Sequence, residues 1–175
     1  SDLVNASDLI KEFGSPLFVI DEADFKARAT SFKNALDTHF GNHAGRVYYA
    51  SKAFLNKEIA RWVESLGIGI DVASGGELAV VLSVNFPPER IQVHGNNKSE
   101  AEIEAAVAAS VGAIVIDSFH EIERVARIAA AQKKIQPVFI RVTAGIEAHT
   151  HEFIATAHED VKFGFSLASG AAWKA

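Results

Sequence analysis

The sequence predicts an α/β protein built on a (β/α)8 TIM-type barrel, of which about five βα units are present. Three observations carry that prediction. Short β-branched or aromatic apolar runs recur at residues 47–50, 68–72, 91–93, 113–116 and 138–142. Between Tyr49, Ile70, Val93, Val115 and Ile140 the steps are 21, 23, 22 and 25 residues, the length of one strand, one helix and two short loops. An S-x-x-E capping box stands within six residues of three strand ends, at Ser74/Glu77, Ser99/Glu102 and Ser118/Glu121. In each, the serine caps a free helix N–H and the glutamate reaches back to the serine amide. Alternating units of this kind imply a parallel sheet with right-handed crossovers. A doubly wound open sheet is the other closure. The even repeat, and the lack of G-x-G-x-x-G after the first strand, favour the barrel.

The elements follow in order. Residues 3–13 read as a short helix. Residues 16–21 (PLFVID) read as a strand, and 24–36 as an amphipathic helix with Phe25, Ala29, Phe32 and Leu36 inward. Residues 57–65 place Ile59, Trp62, Val63 and then Leu66 at helical spacing. Residues 102–110 and 121–132 are rich in alanine, the best helix former. The five apolar runs lack alternation, as strands buried on both faces do. A full barrel takes roughly 250 residues, so a chain of 175 reads as part of one. The last residues, FSLASGAAWKA, read as the start of a helix.

Composition narrows the function classes. The 49% of apolar residues and a mean hydropathy of +0.12 suit a globular domain with a core of its own. The longest stretch without Asp, Glu, Lys or Arg, residues 105–116, is too short to span a bilayer. The first ten residues show no basic region followed by an apolar one, so no signal peptide is expected. Zero cysteines exclude disulfides, cysteine–zinc sites and a cysteine nucleophile from this chain, and fit a cytoplasmic setting. A net charge of −5 without a basic patch argues against nucleic acid as a partner.

Barrel enzymes place their chemistry at the C-terminal ends of the strands. Each apolar run here closes on a polar residue: Lys52, Asp71, His94, Asp117 and Arg141. Polar residues also begin ordinary loops. Lys52, in VYYASKAF, is either a lysine snorkelling from a strand end or an amine held for covalent chemistry with aldehydes. Asp71 ends GIGID, and Gly75-Gly76 after it suit a tight turn into a helix capped by Ser74. His94 opens HGNNKS. Arg141 projects from an apolar strand and needs an anion. His149, His151 and His158, among Glu147, Glu152, Glu159 and Asp160, make a polar active-site loop or, as a looser alternative, a metal site.

Four segments, YYASKAF, GIGIDVASGGEL, HGNNKS and IRVTAGIEAHTHEFIATAHEDVKFGFSL, resemble the diaminopimelate decarboxylase family of pyridoxal-phosphate enzymes, whose barrel is like that of alanine racemase. The resemblance runs from about residue 15 to 175. Y-A-x-K-A followed by D-x-A-S-G-G-E marks the barrel decarboxylases, and IEAHTHEFIATAHED sets this family apart from ornithine and arginine decarboxylases. The resemblance implies that Lys52 holds pyridoxal phosphate covalently, with Asp71, His94 and Arg141 around the ring and no metal. Lys162 matches a position near a subunit contact, in a homodimer. The implied reaction is loss of carbon dioxide from the D-configured carbon of meso-diaminopimelate, giving L-lysine.

The resemblance also implies two regions. Residues 1–24 would contribute the 16–21 strand to a second, β-rich domain, and 25–175 would be the partial, cofactor-binding barrel. The family's H-x-G-S, glycine-rich phosphate loop, E-P-G-R and Cys-Glu motifs are not in these residues, nor is its tyrosine near the C-terminus. The expectation is therefore an N-terminal part of a decarboxylase, weakly active or inactive by itself. Competing expectations are a non-catalytic regulator or folding fragment on the same scaffold, or another barrel enzyme of the group, such as an ornithine or arginine decarboxylase or an amino-acid racemase.

Overall fold

Two helices, α1 (Ala6–Phe13) and α2 (Glu22–Phe40), precede five parallel strands in this computed structural model, which describes residues 5–41, 45–144 and 163–175. The strands are β1 (Tyr48–Ala50), β2 (Gly69–Val72), β3 (Ile91–Val93), β4 (Ala113–Ile116) and β5 (Val138–Ile140). They lie side by side in chain order, with Tyr49 opposite Ile70, Ile70 opposite Ile91, Val93 opposite Ile114, and Val115 opposite Phe139. Consecutive order without reversal is that of a barrel wall; a doubly wound sheet switches direction part-way.

Helices α3 (Lys57–Ser65), α4 (Gly75–Leu82), α5 (Glu100–Ala109) and α6 (Phe119–Ala131) make the crossovers. The core lies between sheet and helices. Ile70, Val72, Ile91, Val93, Ile114 and Ile116 face the helices and are at most 3% exposed. The alternate residues, Asp71 and Val115 among them, face the other way, into the barrel. That period of two carries polar groups to the inner face without disturbing the core.

The structure adds a strand that the sequence did not reveal. The run at 138–142 is shared between two neighbours. Arg141 donates its N–H to Ile116 O at 2.9 Å, and its carbonyl accepts from Phe165 N at 2.8 Å. Beyond it, β6 (Val142–Thr143) pairs in parallel with β7 (Phe165–Ser166). A sixth position of the wall therefore exists, two residues long. A pair of residues is too short to show a periodicity. The chain closes on α7 (Ala171–Lys174).

Residues 16–21, whose expected partner is a second, β-rich domain, pair with no described strand, and Phe18 is 91% exposed. Three further expectations are corrected. Phe32 is exposed on α2, whose packing rests on Phe25 against Tyr49 and Trp62. β5 is exposed along its length rather than buried on both faces. Only Ser99/Glu102 forms a reciprocal capping box. The carboxylates of Glu77 and Glu121 accept instead from the amides one residue before the cap, Ala73 at 2.6 Å and Asp117 at 2.8 Å. No described helix is long and apolar enough to cross a membrane.

Candidate active site

The C-terminal ends of β1 to β5 surround a cavity of about 500 Å³. Lys52, Asp71, His94 and Arg141, singled out one by one in the sequence, all line it, with Ala50, Val72, Ala73 and Val115 between them. Lys52, His94 and Arg141 follow β1, β3 and β5 by one or two residues, and Asp71 is the inward-facing penultimate residue of β2.

Lys52 sits in a single 3-10 turn, Ser51–Ala53, clamped from both sides. The buried Ser51 hydroxyl donates to Glu77 Oε2 at 2.8 Å, and the Tyr49 hydroxyl donates to Phe54 O at 2.7 Å. Burial, with the Phe25 ring edge-on to it, raises the Tyr49 pKa, which keeps that hydroxyl a donor. Among the described residues, the Lys52 amine has no ion-pair or hydrogen-bond partner. The turn is held and the amine is left free.

Asp71 and His94 face each other across neighbouring strands, Oδ1 to Nε2 at 3.5 Å. Both atoms are buried, and neither makes a hydrogen bond. Unsatisfied buried polar atoms are costly and rare.

Arg141 is aimed by two contacts. Its Nη1 donates to Asp117 Oδ1 at 3.3 Å, and its guanidinium lies over the Phe163 ring, 4.4 Å from the centroid. Asp117 is 7% exposed, and its Oδ2 accepts from Gly164 N at 3.1 Å. Asp117 is therefore a buttress behind the cavity rather than part of its wall. Gly164 has φ +73°, and a Cβ there would meet Arg141 O at 2.7 Å, so glycine is required where these two segments touch.

Sequence reasoning missed a set of glutamates that tie each βα loop to the one before it. They are the capping-box glutamates themselves. Glu77 reaches Ser51, Glu102 accepts from Gly75 N at 2.6 Å, and Glu121 accepts from Lys98 Nζ at 2.9 Å. The Gly75 amide is thus already satisfied, in keeping with a turn glycine. Spacing showed the local cap but not the long-range partner. Lys98 and Phe163 were missed for the same reason. Lys162, His149, His151, His158, Glu147, Glu152, Glu159 and Asp160 lie outside the described residues; among those described, no cluster suits a metal ion.

Strand order and the polar mouth are those of a (β/α) barrel that gathers polar groups at its strand ends. The family described as pyridoxal-dependent decarboxylase, pyridoxal binding domain, matches residues 22–175, and the chain belongs to it. A diaminopimelate decarboxylase of Mycobacterium leprae is 58% identical over 97% of this chain. The structure of diaminopimelate decarboxylase from M. jannaschii in complex with L-lysine matches 97% of the chain at 31% identity and a TM-score of 0.80. That from Helicobacter pylori, also complexed with L-lysine, matches 95% at 28% identity and a TM-score of 0.82. The chain spans only 35% to 41% of the length of these relatives.

Proposed function

We propose that this chain is the N-terminal, pyridoxal-binding part of a diaminopimelate decarboxylase, with Lys52 as the residue that holds the cofactor. The observation that carries this reading is the convergence of a free lysine amine with two orphaned polar atoms and a buttressed arginine in one cavity. The donor set fits pyridoxal phosphate: an amine for its aldehyde, and polar side chains for its ring and charged groups. Identity of 58% to a diaminopimelate decarboxylase favours that substrate over those of the ornithine and arginine enzymes.

When bound, the cofactor supplies an electron sink for the charge left as carbon dioxide departs. The chain supplies the setting. Lys52 Nζ is the attachment point, presented by a turn that Glu77 and Tyr49 keep in place. His94 Nε2 and Asp71 Oδ1, 3.5 Å apart and both without a hydrogen bond, are the polar atoms left for the cofactor's ring or charged groups. Arg141, fixed by Asp117 and Phe163, is a preorganised cation for an anionic group of cofactor or substrate. Val115, on the inner face of β4, adds an apolar surface to the cavity wall.

The test is release of carbon dioxide from diaminopimelate, ornithine and arginine by the full-length polypeptide, with Lys52→Ala alongside. The expected result is cofactor-dependent release from diaminopimelate alone, abolished by the substitution. Release from ornithine or arginine at equal rate, or full activity of Lys52→Ala, overturns the proposal.

A further inference from the structure

The Lys98 ammonium is buried beneath the mouth, with its side chain 3% exposed, and it takes no part in the cavity wall. It donates three hydrogen bonds: to Gly95 O at 2.7 Å, Val115 O at 2.7 Å and Glu121 Oε1 at 2.9 Å. All three of its protons are used. Glu121, 6% exposed at its side chain, uses its other oxygen for Asp117 N at 2.8 Å. Arg124 on the next turn of α6 donates to Lys98 O at 2.6 Å.

These acceptors belong to three different segments. Gly95 is in the loop that carries His94 and Asn96 along the cavity. Val115 lies on β4 and lines the same cavity. Asp117, through Glu121, is the residue that aims Arg141. Gly95 has φ +111°, and a Cβ there would meet Ala73 O at 3.2 Å, so the loop is pressed against the end of β2 as well. One ammonium thus fixes the relative placement of His94 and Arg141 from behind.

An apolar pair of similar volume would serve stability as well as a buried ion pair does, because desolvation offsets most of the Coulomb gain. What an ammonium adds is direction: three acceptors held at set angles around one atom. We propose that Lys98, with Glu121, is a positioning pair for the cofactor site, setting where His94 and Arg141 stand relative to Lys52. This rests on the reading of the cavity as a pyridoxal phosphate site.

The test compares the full-length polypeptide with its Glu121→Gln variant and with the double variant Lys98→Met/Glu121→Gln, which removes both charges together. Two quantities are read on each. One is the visible-absorption titration with pyridoxal phosphate, followed by borohydride reduction and mapping of the labelled lysine. The other is the urea midpoint. A positioning role predicts that the double variant weakens cofactor binding on the order of tenfold, the size of effect that outer-sphere partners have at metal sites. Labelling would spread from Lys52 to surface lysines while the urea midpoint stays near the parental one. Glu121→Gln, which keeps an acceptor for Lys98, moves affinity in the same direction by a smaller factor. Parental affinity and Lys52-confined labelling in both variants overturn the proposal, and so does an affinity loss only as large as the fraction unfolded. A full-length parent with no adduct at Lys52 overturns the cofactor reading itself, and is thereby told apart from failure of the positioning pair alone.

Discussion

Replacing Asp117 by alanine removes the buttress of Arg141 without touching the cavity wall. Its carboxylate accepts from the Gly164 amide at 3.1 Å and from Arg141 Nη1 at 3.3 Å, with a side chain 5% exposed. A hydrogen bond from a neutral donor to a buried charge contributes about 1.5–3 kcal/mol. The Arg141 side chain is 31% exposed, so its ion pair is screened and contributes under about 1 kcal/mol. Together the loss comes to about 2–4 kcal/mol. With a urea dependence near 2 kcal/mol per molar, the midpoint falls by about 1–2 M. Asp117→Asn retains one carbonyl acceptor and is expected to lose about half as much. Equilibrium urea unfolding followed by circular dichroism reads both. An Asp117→Ala midpoint within about 0.2 M of the parent would show that neither hydrogen bond carries weight, and would refute this account of how Arg141 is aimed.

Two further predictions concern the frame. Gly112 enters β4 so close to the backbone of Glu89 that a Cβ would run into its carbonyl oxygen. Gly112→Ala is therefore expected to cost about 1–3 kcal/mol in the same urea assay, and a neutral result would contradict that close approach. Glu102 accepts from the amides of Ser99 and Gly75, and these hold its carboxyl below the ordinary value of 4.5, the Ser99 amide most of all. A depressed carboxyl contributes stability that is present above its unfolded-state value and lost as pH falls through the lower folded-state one. Glu102→Gln is thus expected to flatten the acid limb of stability below about pH 4.5 and to lower stability at neutral pH. An unchanged slope of urea midpoint against pH in that range would refute the assignment.

The parts of this molecule that depend on neighbours in sequence were legible in advance. Residues 91–93 and 113–116 are strands to the residue, and 57–65 is a helix to the residue, because periodicity and caps are local signals. Lys52, Asp71, His94 and Arg141 were found by their shared place at strand ends, a rule of the fold rather than of any one residue. What lay beyond reach was pairing across the fold. Ser99/Glu102 and Ser118/Glu121 read identically, yet the Glu102 carboxylate turns to the amides of Ser99 and Gly75 while that of Glu121 turns to Lys98 and Asp117. Nothing in HGNNKS marks Lys98 as buried; that comes from the meeting of β4, the loop and α6. Residues 16–21 carry every mark of a strand except a partner, which sequence pattern does not supply.

The most direct test of the central claim is the site of covalent attachment. The full-length polypeptide is mixed with pyridoxal phosphate, reduced with borohydride, digested and mapped by mass spectrometry, with Lys52→Ala as control. The account predicts one reduced adduct on Lys52, absent in the control, with surface lysines such as Lys57 and Lys174 unlabelled. An absence of adduct, or labelling shared among surface lysines and unchanged in Lys52→Ala, would contradict it.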